Sequence, residues 1–214
     1  MDTSAPEVNF YLNNVSLKSG DFLNSQPSLK AVISELVGIS ESSIKFLHNG
    51  SQITDGQSGG GRYDSYDSSS KTVTYTFKNS LSEGVHTLGF EVQDLAGNTT
   101  TLNFTDLSLT NSLALEKVMN YPNPFNESTN FSYELSKDAD VSIKIYDVRG
   151  MLVKTLTASS AGSSGGRLGF NKIGWNGTDE SGKNLANGMY IYFIKASDGG
   201  GGQVIKRSKI GISR

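Results

Sequence analysis

The 214-residue chain has no cysteine, which excludes disulfides, a thiol nucleophile and cysteine-ligated zinc or iron–sulfur centres. Histidine occurs only twice, and charged residues make up 19% of the chain, against an average of about 25%. No apolar run approaches the ~20 residues that a membrane-spanning helix needs. Residues 1–20 contain no basic segment followed by an apolar one, so we expect no signal peptide there. Met1 directly before Asp2–Pro6 indicates an internal boundary of a longer protein.

Glycine (24 residues), serine, threonine and asparagine take the place of the missing charged and apolar residues. These residue types favour turns and exposed strand positions over helices. Aromatic residues make up 9% of the chain and are spread along it, which is enough to fill a core and argues against disorder. The composition therefore favours a β-rich globular protein.

Charge is divided unevenly along the chain. Residues 1–110 carry six basic and twelve acidic side chains, whereas residues 111–214 carry thirteen basic and nine acidic ones. This asymmetry predicts different surfaces and different partners for the two halves. The basic excess of the second half is too small to indicate a nucleic-acid interface.

Short segments of alternating apolar and polar residues, the pattern of half-buried strands, recur in the first half. They are Val8–Leu12, Leu29–Ile33 (with Leu29, Val32 and Ile33 as its apolar positions), Ile44–His48, Val73–Phe77, Val85–Val92 and Thr99–Leu109. Asn49-Gly50 predicts a two-residue hairpin turn, and Asp94–Asn98 predicts a second turn. Residues 55–71 offer almost nothing to bury and predict a long exposed loop or an irregular sheet edge.

The second half repeats this pattern with a different sequence. Its candidate strands are Phe131–Leu135, Val141–Ile145, Leu152–Leu156, Leu168–Trp175, Met189–Ile194 and Val204–Ile212. A short helix over Leu113–Met119 is an alternative for the linking segment, although a helix of that length is marginal. The pattern breaks at Asn111-Ser112. We therefore predict an all-β chain of two consecutive immunoglobulin-like β-sandwiches, residues 1–110 and 111–214.

Catalytic and metal-binding chemistry finds little support in the sequence. His48 and His86 lie on separate candidate strands, and no nucleophile–base–acid set surrounds them, so we predict no catalytic residue. Asp55, Asp64 and Asp67 lie in one segment, and the segment Asn176–Gly182 superficially resembles a calcium loop. Both lack EF-hand spacing, so we predict no metal and no cofactor, and metal binding by residues 55–71 stays open.

Two prolines near the start of the second half restrict its backbone conformation. Pro122 and Pro124 fix φ and remove two donors, which predicts an extended segment that cannot lie inside a sheet. Tyr121 and Phe125 are its expected anchors. Trp175, the only tryptophan, is expected in the core. Positive φ is expected at three glycines, namely Gly177, Gly182 and Gly188.

The second half also resembles a known family. Its opening, Tyr121-Pro122-Asn123-Pro124-Phe125-Asn126, resembles the opening motif of the C-terminal sorting domains of the type IX secretion system of Bacteroidetes. The resemblance covers residues 115–214 and continues through Val141–Gly150, Trp175–Gly182, Asn187–Tyr190 and the basic strand Val204–Ile210. The pattern from the Trp to the Tyr is also similar to the immunoglobulin-like domain of flagellar hook-capping proteins. Glu127 stands where the family often has proline, and Asn176 stands where aspartate is common.

This resemblance implies a non-catalytic C-terminal region of a larger secreted protein, recognised for outer-membrane export and surface attachment. The implied location is secreted or cell-surface, reached through the periplasm. The implied partners are the type IX machinery, its sortase, an anionic surface glycolipid and the upstream domain of the parent protein. The motif residues that would carry recognition are Tyr121, Pro122, Asn123, Pro124, Trp175, Gly188, Tyr190, Lys206, Arg207 and Lys209. Sortase cleavage is expected within Leu109–Lys117.

The basic C-terminal residues allow two compatible interpretations. Lys206, Arg207, Lys209 and Arg214 would either protect an edge strand from aggregation or dock the export machinery or an anionic glycolipid.

The first half resembles the bacterial immunoglobulin-like modules that precede such sorting domains. The resemblance lies in Asp2–Pro6, Leu36–Ile39, Gly84–Thr87 and Asp94–Asn98. Two alternatives remain open for the whole chain. One is a structural or adhesive cell-surface module. The other is a carbohydrate-binding accessory domain of a secreted enzyme, with Tyr63 and Tyr66 as the sugar platform.

Overall fold

The computed structural model of the chain describes residues 2–35, 38–53, 62–77, 80–162 and 164–214. Within these residues the protein is all-β, with sixteen strands and one 3₁₀ turn at Glu41–Ser43. No helix among them has the length and apolar character needed to cross a bilayer. Contacts divide the chain into two compact units, residues 1–109 and residues 110–214, each described by itself below.

The first unit is a sandwich of two antiparallel sheets. Its strands are β1 (Glu7–Leu12), β2 (Val15–Ser16), β3 (Ser28–Ser34), β4 (Lys45–His48), β5 (Ser51–Gln52), β6 (Arg62–Asp67), β7 (Thr72–Thr76), β8 (Gly84–Gln93) and β9 (Thr99–Leu109). One sheet has the order β2-β1-β3-β7-β6 and the other has the order β5-β4-β8-β9. The inward side chains of both sheets form one apolar core, with Phe10, Phe46, Tyr75 and Phe90 at its centre.

Several local predictions for this unit can be checked. Asn49-Gly50 joins β4 to β5 with positive φ at both residues, 49° and 78°, so the predicted hairpin turn is confirmed. For part of the 55–71 segment the second alternative holds, because Arg62–Asp67 pairs with β7 as an edge strand whose register shifts between Tyr63 and Ser65. Residues 54–61, Leu36 and Val37 lie outside the described residues.

One strand buries a different set of residues from the expected one. The prediction for β3 groups Leu29, Val32 and Ile33, but the structure buries Leu29, Ala31 and Ile33 and leaves Val32 half-buried. Strict alternation along an extended strand puts residue 32 on the face opposite Ile33.

The second unit is a seven-stranded sandwich. Its strands are β10 (Leu115–Tyr121), β11 (Thr129–Leu135), β12 (Asp140–Tyr146), β13 (Leu152–Ala158), β14 (Gly169–Trp175), β15 (Gly188–Ser197) and β16 (Gln203–Ile212). The sheet β10-β11-β14 packs over the sheet β13-β12-β15-β16, and all neighbouring strands are antiparallel. The fold prediction of two immunoglobulin-like sandwiches is therefore confirmed.

The helix considered for Leu113–Met119 is wrong. Residues 115–121 form β10, which pairs with β11 from Leu115 opposite Leu135 to Tyr121 opposite Asn130. Hydrogen bonds to β11 satisfy the backbone N–H and C=O groups of this segment. A helix of only two turns would be marginally stable there. Leu115 is fully buried as a result.

Aromatic rings fill the centre of the second unit. Trp175 is 3% exposed, so its predicted burial is confirmed. Its ring centroid lies 5.5 Å from that of Phe125 and 6.2 Å from that of Phe131, and its Nε1 donates to the carbonyl of Thr178 at 3.0 Å. Phe131 meets Tyr192 edge-on at 4.8 Å. Trp175 therefore packs between Phe125, near the start of the unit, and Phe131, at the centre of its core.

Replacing this indole should be costly. We predict that Trp175→Ala lowers the free energy of unfolding by about 3–5 kcal/mol, the range for truncating a buried aromatic residue. Trp175→Phe should lower stability less, because it keeps an aromatic ring in contact with the core. Its remaining cost comes from the lost hydrogen bond to Thr178. Urea denaturation followed by circular dichroism measures both. A loss below about 1 kcal/mol for the alanine variant would contradict this role.

Candidate functional site

Residues 121–126, here called the crossing segment, carry the chain from the β10 edge of one sheet to the β16 edge of the other. Phe125 runs parallel to the end of β16 and opposite Ile212. Its N–H donates to the carbonyl of Gly211 at 3.0 Å, and its carbonyl accepts from the N–H of Ser213 at 2.8 Å. The extended segment expected from the two prolines is thus present and lies at a sheet margin.

The two expected aromatic anchors behave differently. Phe125 is buried against Trp175, as predicted. Tyr121 is 77% exposed, so its assignment as an anchor is wrong. It is the last residue of β10, at the margin of its sheet, and its side chain lies in solvent.

Asn123 has a role that the sequence analysis missed. Its Nδ2 donates to the carbonyl of Lys209 at 3.0 Å, and its Oδ1 accepts from the N–H of Gly211 at 2.9 Å. The side-chain amide therefore pairs with β16 as a strand backbone would, beside Pro124, which has no N–H to offer. The carbonyl of Pro122 accepts from the hydroxyl of Thr129 at 2.8 Å. The motif thus replaces missing backbone donors with an amide side chain.

Arg214 fastens the same end of the unit. Its guanidinium donates to four carbonyls, those of Asn126 (3.1 Å), Leu185 (2.8 Å), Asn176 (2.8 Å) and Gly177 (3.2 Å). Its backbone exchanges two hydrogen bonds with the Asn187 side chain, at 2.9 and 3.0 Å. We call this set of bonds the Arg214 clamp.

Only glycine fits at position 177. Its φ is +71°, and a Cβ there would lie 2.5 Å from Nη2 of Arg214 and 3.0 Å from the Phe125 ring. The expected positive φ is also found at Gly182 and Gly188. Gly188 opens β15 opposite Ile212.

Tyr190 completes this end of the unit. It is 7% exposed, and its hydroxyl donates to the carbonyl of Ala186 at 2.9 Å. Burial, followed by the nearby Asp147, raises the pKa of its phenol. Of the predicted motif residues, Asn123, Trp175, Gly188 and Tyr190 therefore lie around Phe125 and the Arg214 clamp. We call this assembly the motif cluster: residues 121–126, 175–177, 185–190 and 211–214. Lys206, Arg207 and Lys209 lie further along β16, and their side chains do not join it.

The expected basic cluster at the C-terminus is split by strand alternation. Lys206 lies on the side of β16 that faces the other sheet and pairs with Glu116 at 3.9 Å. Arg207 and Lys209 point to the opposite side. Arg214 is held by the clamp. The four residues therefore do not share one surface, and only Arg207 and Lys209 lie on the same side of β16.

The edge of β16 is open along only part of its length. β16 is the last strand of its sheet, and its odd-numbered residues direct their backbone groups away from β15, as the bonds at Lys209 and Gly211 show. The crossing segment covers that end. Within the described part of the chain, no backbone partner beyond β15 is found for Ile205 or Arg207.

The expected cleavage stretch Leu109–Lys117 is mostly structured. Leu113 is 9% exposed and Leu115 is fully buried. The hydroxyl of Ser136 donates to the carbonyl of Ser112 at 2.9 Å and accepts from the N–H of Ala114 at 2.8 Å. Outside the strands, the exposed part is limited to residues 111–112; Glu116 and Lys117 are exposed too, but they lie within β10.

The two histidines of the first unit, treated separately in the sequence analysis, are in contact. Nε2 of His48 and Nδ1 of His86 are 2.9 Å apart, and Nε2 of His86 donates to the carbonyl of Ser82 at 3.0 Å. That second bond leaves Nδ1 of His86 as the acceptor, so His48 donates. Burial, followed by repulsion from His86, lowers the pKa of His48. Among the described residues, no acid or hydroxyl orients either ring.

The carboxylates considered for metal binding serve turns. Asp67 accepts from the backbone and hydroxyl groups of Ser69 and Ser70, which lowers its pKa to about 2. Asp179 accepts from the N–H groups of Ser181 and Lys183 and closes its turn in the same way. Asp55 and the side chain of Asp64 lie outside the described residues.

A carboxylate group that the sequence did not reveal joins Asp2, Glu35 and Asp94, whose oxygens lie within 4.8 Å of one another. Asp94 is buried and accepts from the N–H and Nδ2 of Asn98 at 2.8 and 2.7 Å, closing the predicted 94–98 turn. Tyr66 is half-buried and packs against the core of the first unit, so only part of its side chain is open to a ligand. The side chain of Tyr63 lies outside the described residues.

Comparison with family models finds one match, within the second unit. The family model of the FlgD Ig-like domain matches residues 122–200, less than half of the chain. No curated protein matches. Among solved structures, dimeric latent PorU from Porphyromonas gingivalis is 25% identical over 99% of this chain, with a TM-score of 0.43. This chain spans only 20% of that PorU chain.

Two further solved structures are similar to this chain. The Ig1-2 module of the Drosophila receptor protein tyrosine phosphatase DLAR is 11% identical, covering 99% of this chain and 100% of that one, with a TM-score of 0.38. The adhesin InvE of Yersinia pseudotuberculosis is 12% identical, covering 96% of this chain and 59% of that one, with a TM-score of 0.29.

The Arg214 clamp can be tested by stability. We predict that Arg214→Ala lowers the free energy of unfolding of the second unit by about 2 kcal/mol, since charge-assisted hydrogen bonds to four carbonyls are lost. Trp175 emission in urea follows this unit alone, because the chain has one tryptophan. Arg207→Ala, an exposed cation of the preceding strand, is the control and should change stability by less than about 0.5 kcal/mol. Equal losses would contradict the clamp.

The histidine pair predicts a pH dependence. Because the folded-state pKa of His48 is lowered, the unfolded chain binds the proton first. The contribution of neutral His48 to the stability of the fold is complete above its unfolded-state pKa of about 6.5. It is lost as the pH falls through its lower folded-state pKa. The melting temperature of the first unit, measured by calorimetry from pH 7.5 to 5, should therefore fall. His48→Phe should flatten this slope, and an unchanged slope in the variant would refute the prediction.

Proposed function

We propose that residues 111–214 are a recognition signal for outer-membrane export by a type IX secretion system, and that residues 1–110 are an accessory immunoglobulin-like domain. In this proposal the chain is the non-catalytic C-terminal region of a larger secreted or cell-surface protein. The observation that carries the proposal is the motif cluster. Three of the segments that resemble the sorting family in sequence, at residues 121–126, 175–177 and 187–190, are far apart in the chain and meet at one end of the second unit.

The bonds inside the motif cluster support this interpretation. The family-like residues Asn123 and Trp175 are engaged in specific contacts, with β16 and with Phe125 respectively. Polar or aromatic residues that served only solubility would not need such specific contacts. The match of residues 122–200 to the FlgD Ig-like domain agrees with the hook-capping similarity noted in the sequence.

The open edge of β16 is the part of the unit that a receptor could read. Ile205 is 59% exposed, and the backbone groups of Ile205 and Arg207 point away from β15. Strand addition there would use the backbone for affinity and alternate side chains for specificity. Arg207 would speed the encounter with an acidic partner more than it tightens the complex. The proposed partners are the export machinery and its sortase, an anionic surface glycolipid and the upstream domain.

The test uses a fluorescent passenger with a signal peptide, fused to residues 111–214 and expressed in a host with a type IX system. Truncation at Gly202 would remove the buried Ile210 and Ile212, so point variants are sharper. Arg207→Pro removes an N–H that points away from β15, which an edge strand tolerates. Arg207→Ala keeps that N–H and removes only the charge.

We expect the unaltered fusion and Arg207→Ala to reach the medium or cell surface, the latter more slowly, and Arg207→Pro to stay in the periplasm. Trp175 emission checks that each variant is folded. Retention of the unaltered fusion would overturn the export proposal in favour of a structural or adhesive module. Normal export of folded Arg207→Pro would show that the strand edge is not what the receptor reads.

A further inference from the structure

The outward side chains of β12, β15 and β16 form a surface that neither the core nor the motif cluster uses, here called the outer face. The strand register places Phe193 between Lys144 and Arg207, one on each neighbouring strand. Lys195 follows two residues along β15, beside Ser142 and Ile205. A single phenyl ring is therefore surrounded by cationic side chains.

The outer face is hollowed around this ring. A depression of about 460 Å³ is lined by Ser142, Lys144, Tyr146, Phe193, Lys195 and Ile205. Tyr146 and Phe193 meet edge-on at 5.7 Å and 89°, and Ile205 is 59% exposed. An apolar floor with a few polar groups at its rim, in this volume range, is typical of small-ligand sites.

The cations of the outer face lack acidic partners. Lys144, Lys195, Arg207 and Lys209 form no ion pair with any residue that the structure describes. The acidic residue at the start of β12, Asp140, accepts from the N–H and hydroxyl of Ser160. Like charges gathered on one face of a sheet repel one another. An anionic ligand would relieve that repulsion.

Protection of a sheet edge explains only part of this charge. Arg207 and Lys209 lie on the last strand, where cations discourage pairing with other chains. Lys144 and Lys195 lie on β12 and β15, which have hydrogen-bonded neighbours on both sides and need no such protection.

We propose that this depression binds an anionic saccharide. A sugar ring would pack on Phe193 beside the edge-on Tyr146, with its carboxylate or phosphate among Lys144, Lys195 and Arg207. The hydroxyl of Ser142 is available for a sugar hydroxyl. This role goes beyond export. The saccharide site shares Ile205 and Arg207 with the proposed receptor edge, but Phe193, Lys144 and Lys195 lie on the sheet face, so variants of these three residues test the saccharide site alone.

Two other polyanions fit this surface less well. An extended acidic peptide would pair with the free backbone groups of β16 at the margin, whereas the backbone of β12 and β15 beneath Phe193, Lys144 and Lys195 is paired on both sides. Nucleic-acid binding proteins commonly contact roughly six to ten phosphates, more than four cations can neutralise. The surface best fits an anionic ligand that contains a ring and that is bound by side chains and not by the backbone.

The experiment measures binding of the full chain to polygalacturonate and to phosphorylated dextran by isothermal titration calorimetry. Unmodified dextran, polyglutamate and a single-stranded oligonucleotide are the comparison ligands. We expect binding of the two anionic polysaccharides and none of unmodified dextran. Phe193→Ala and Lys144→Glu should each weaken binding roughly tenfold or more.

Matched variants lie on the opposite sheet of the same unit. Phe170→Ala removes a ring that is 60% exposed on β14, and Lys172→Glu reverses an exposed charge on the same strand. Both should leave binding unchanged. Failure of both anionic polysaccharides to bind would overturn the proposal. So would equal binding of polyglutamate, preferential binding of the oligonucleotide, or unchanged binding by folded Phe193→Ala.

Discussion

The second unit depends on one short ladder, in which the crossing segment pairs with the end of β16. The ladder joins the first strand of one sheet to the last strand of the other, so it closes the sandwich on one side. Phe125 reaches the core and Trp175 only because its backbone is held there. The Arg214 clamp forms at the same place, since its carbonyl partners are brought together by that closure.

The first unit solves the same problem with different chemistry. Phe22 bridges to Ser108 in parallel, and the N–H of Leu23 donates to the Ser108 carbonyl at 2.9 Å. No proline interrupts that segment, so ordinary backbone donors suffice. In the second unit two prolines remove backbone donors. The amide of Asn123 donates to the carbonyl of Lys209 in their place and also accepts from the N–H of Gly211. The same strand closure is thus reached by two sequences with little in common.

Alternation of apolar and polar residues predicted most strands, because a strand with one buried face shows this pattern within a few residues. It could not predict strand pairing or side-chain contacts between residues that are distant in the sequence. Residues 115–121 pair as a strand because β11 lies beside them, and His48 meets His86 because β4 and β8 are neighbours. The split of Lys206 from Arg207 was predictable from alternation alone. The clamp by Arg214 was not, since its carbonyl partners carry no side-chain signature.

The closure also governs the order in which the second unit can fold. Asn123 and Gly211 are 88 residues apart, so their contact closes almost the whole unit as a loop. Contacts of such high sequence separation form slowly, because the chain loses its loop entropy before any bond compensates. A polypeptide that emerges from its N-terminus offers β16 after every other strand. Until then the crossing segment has no partner, and the earlier strands wait in an open, incompletely packed state.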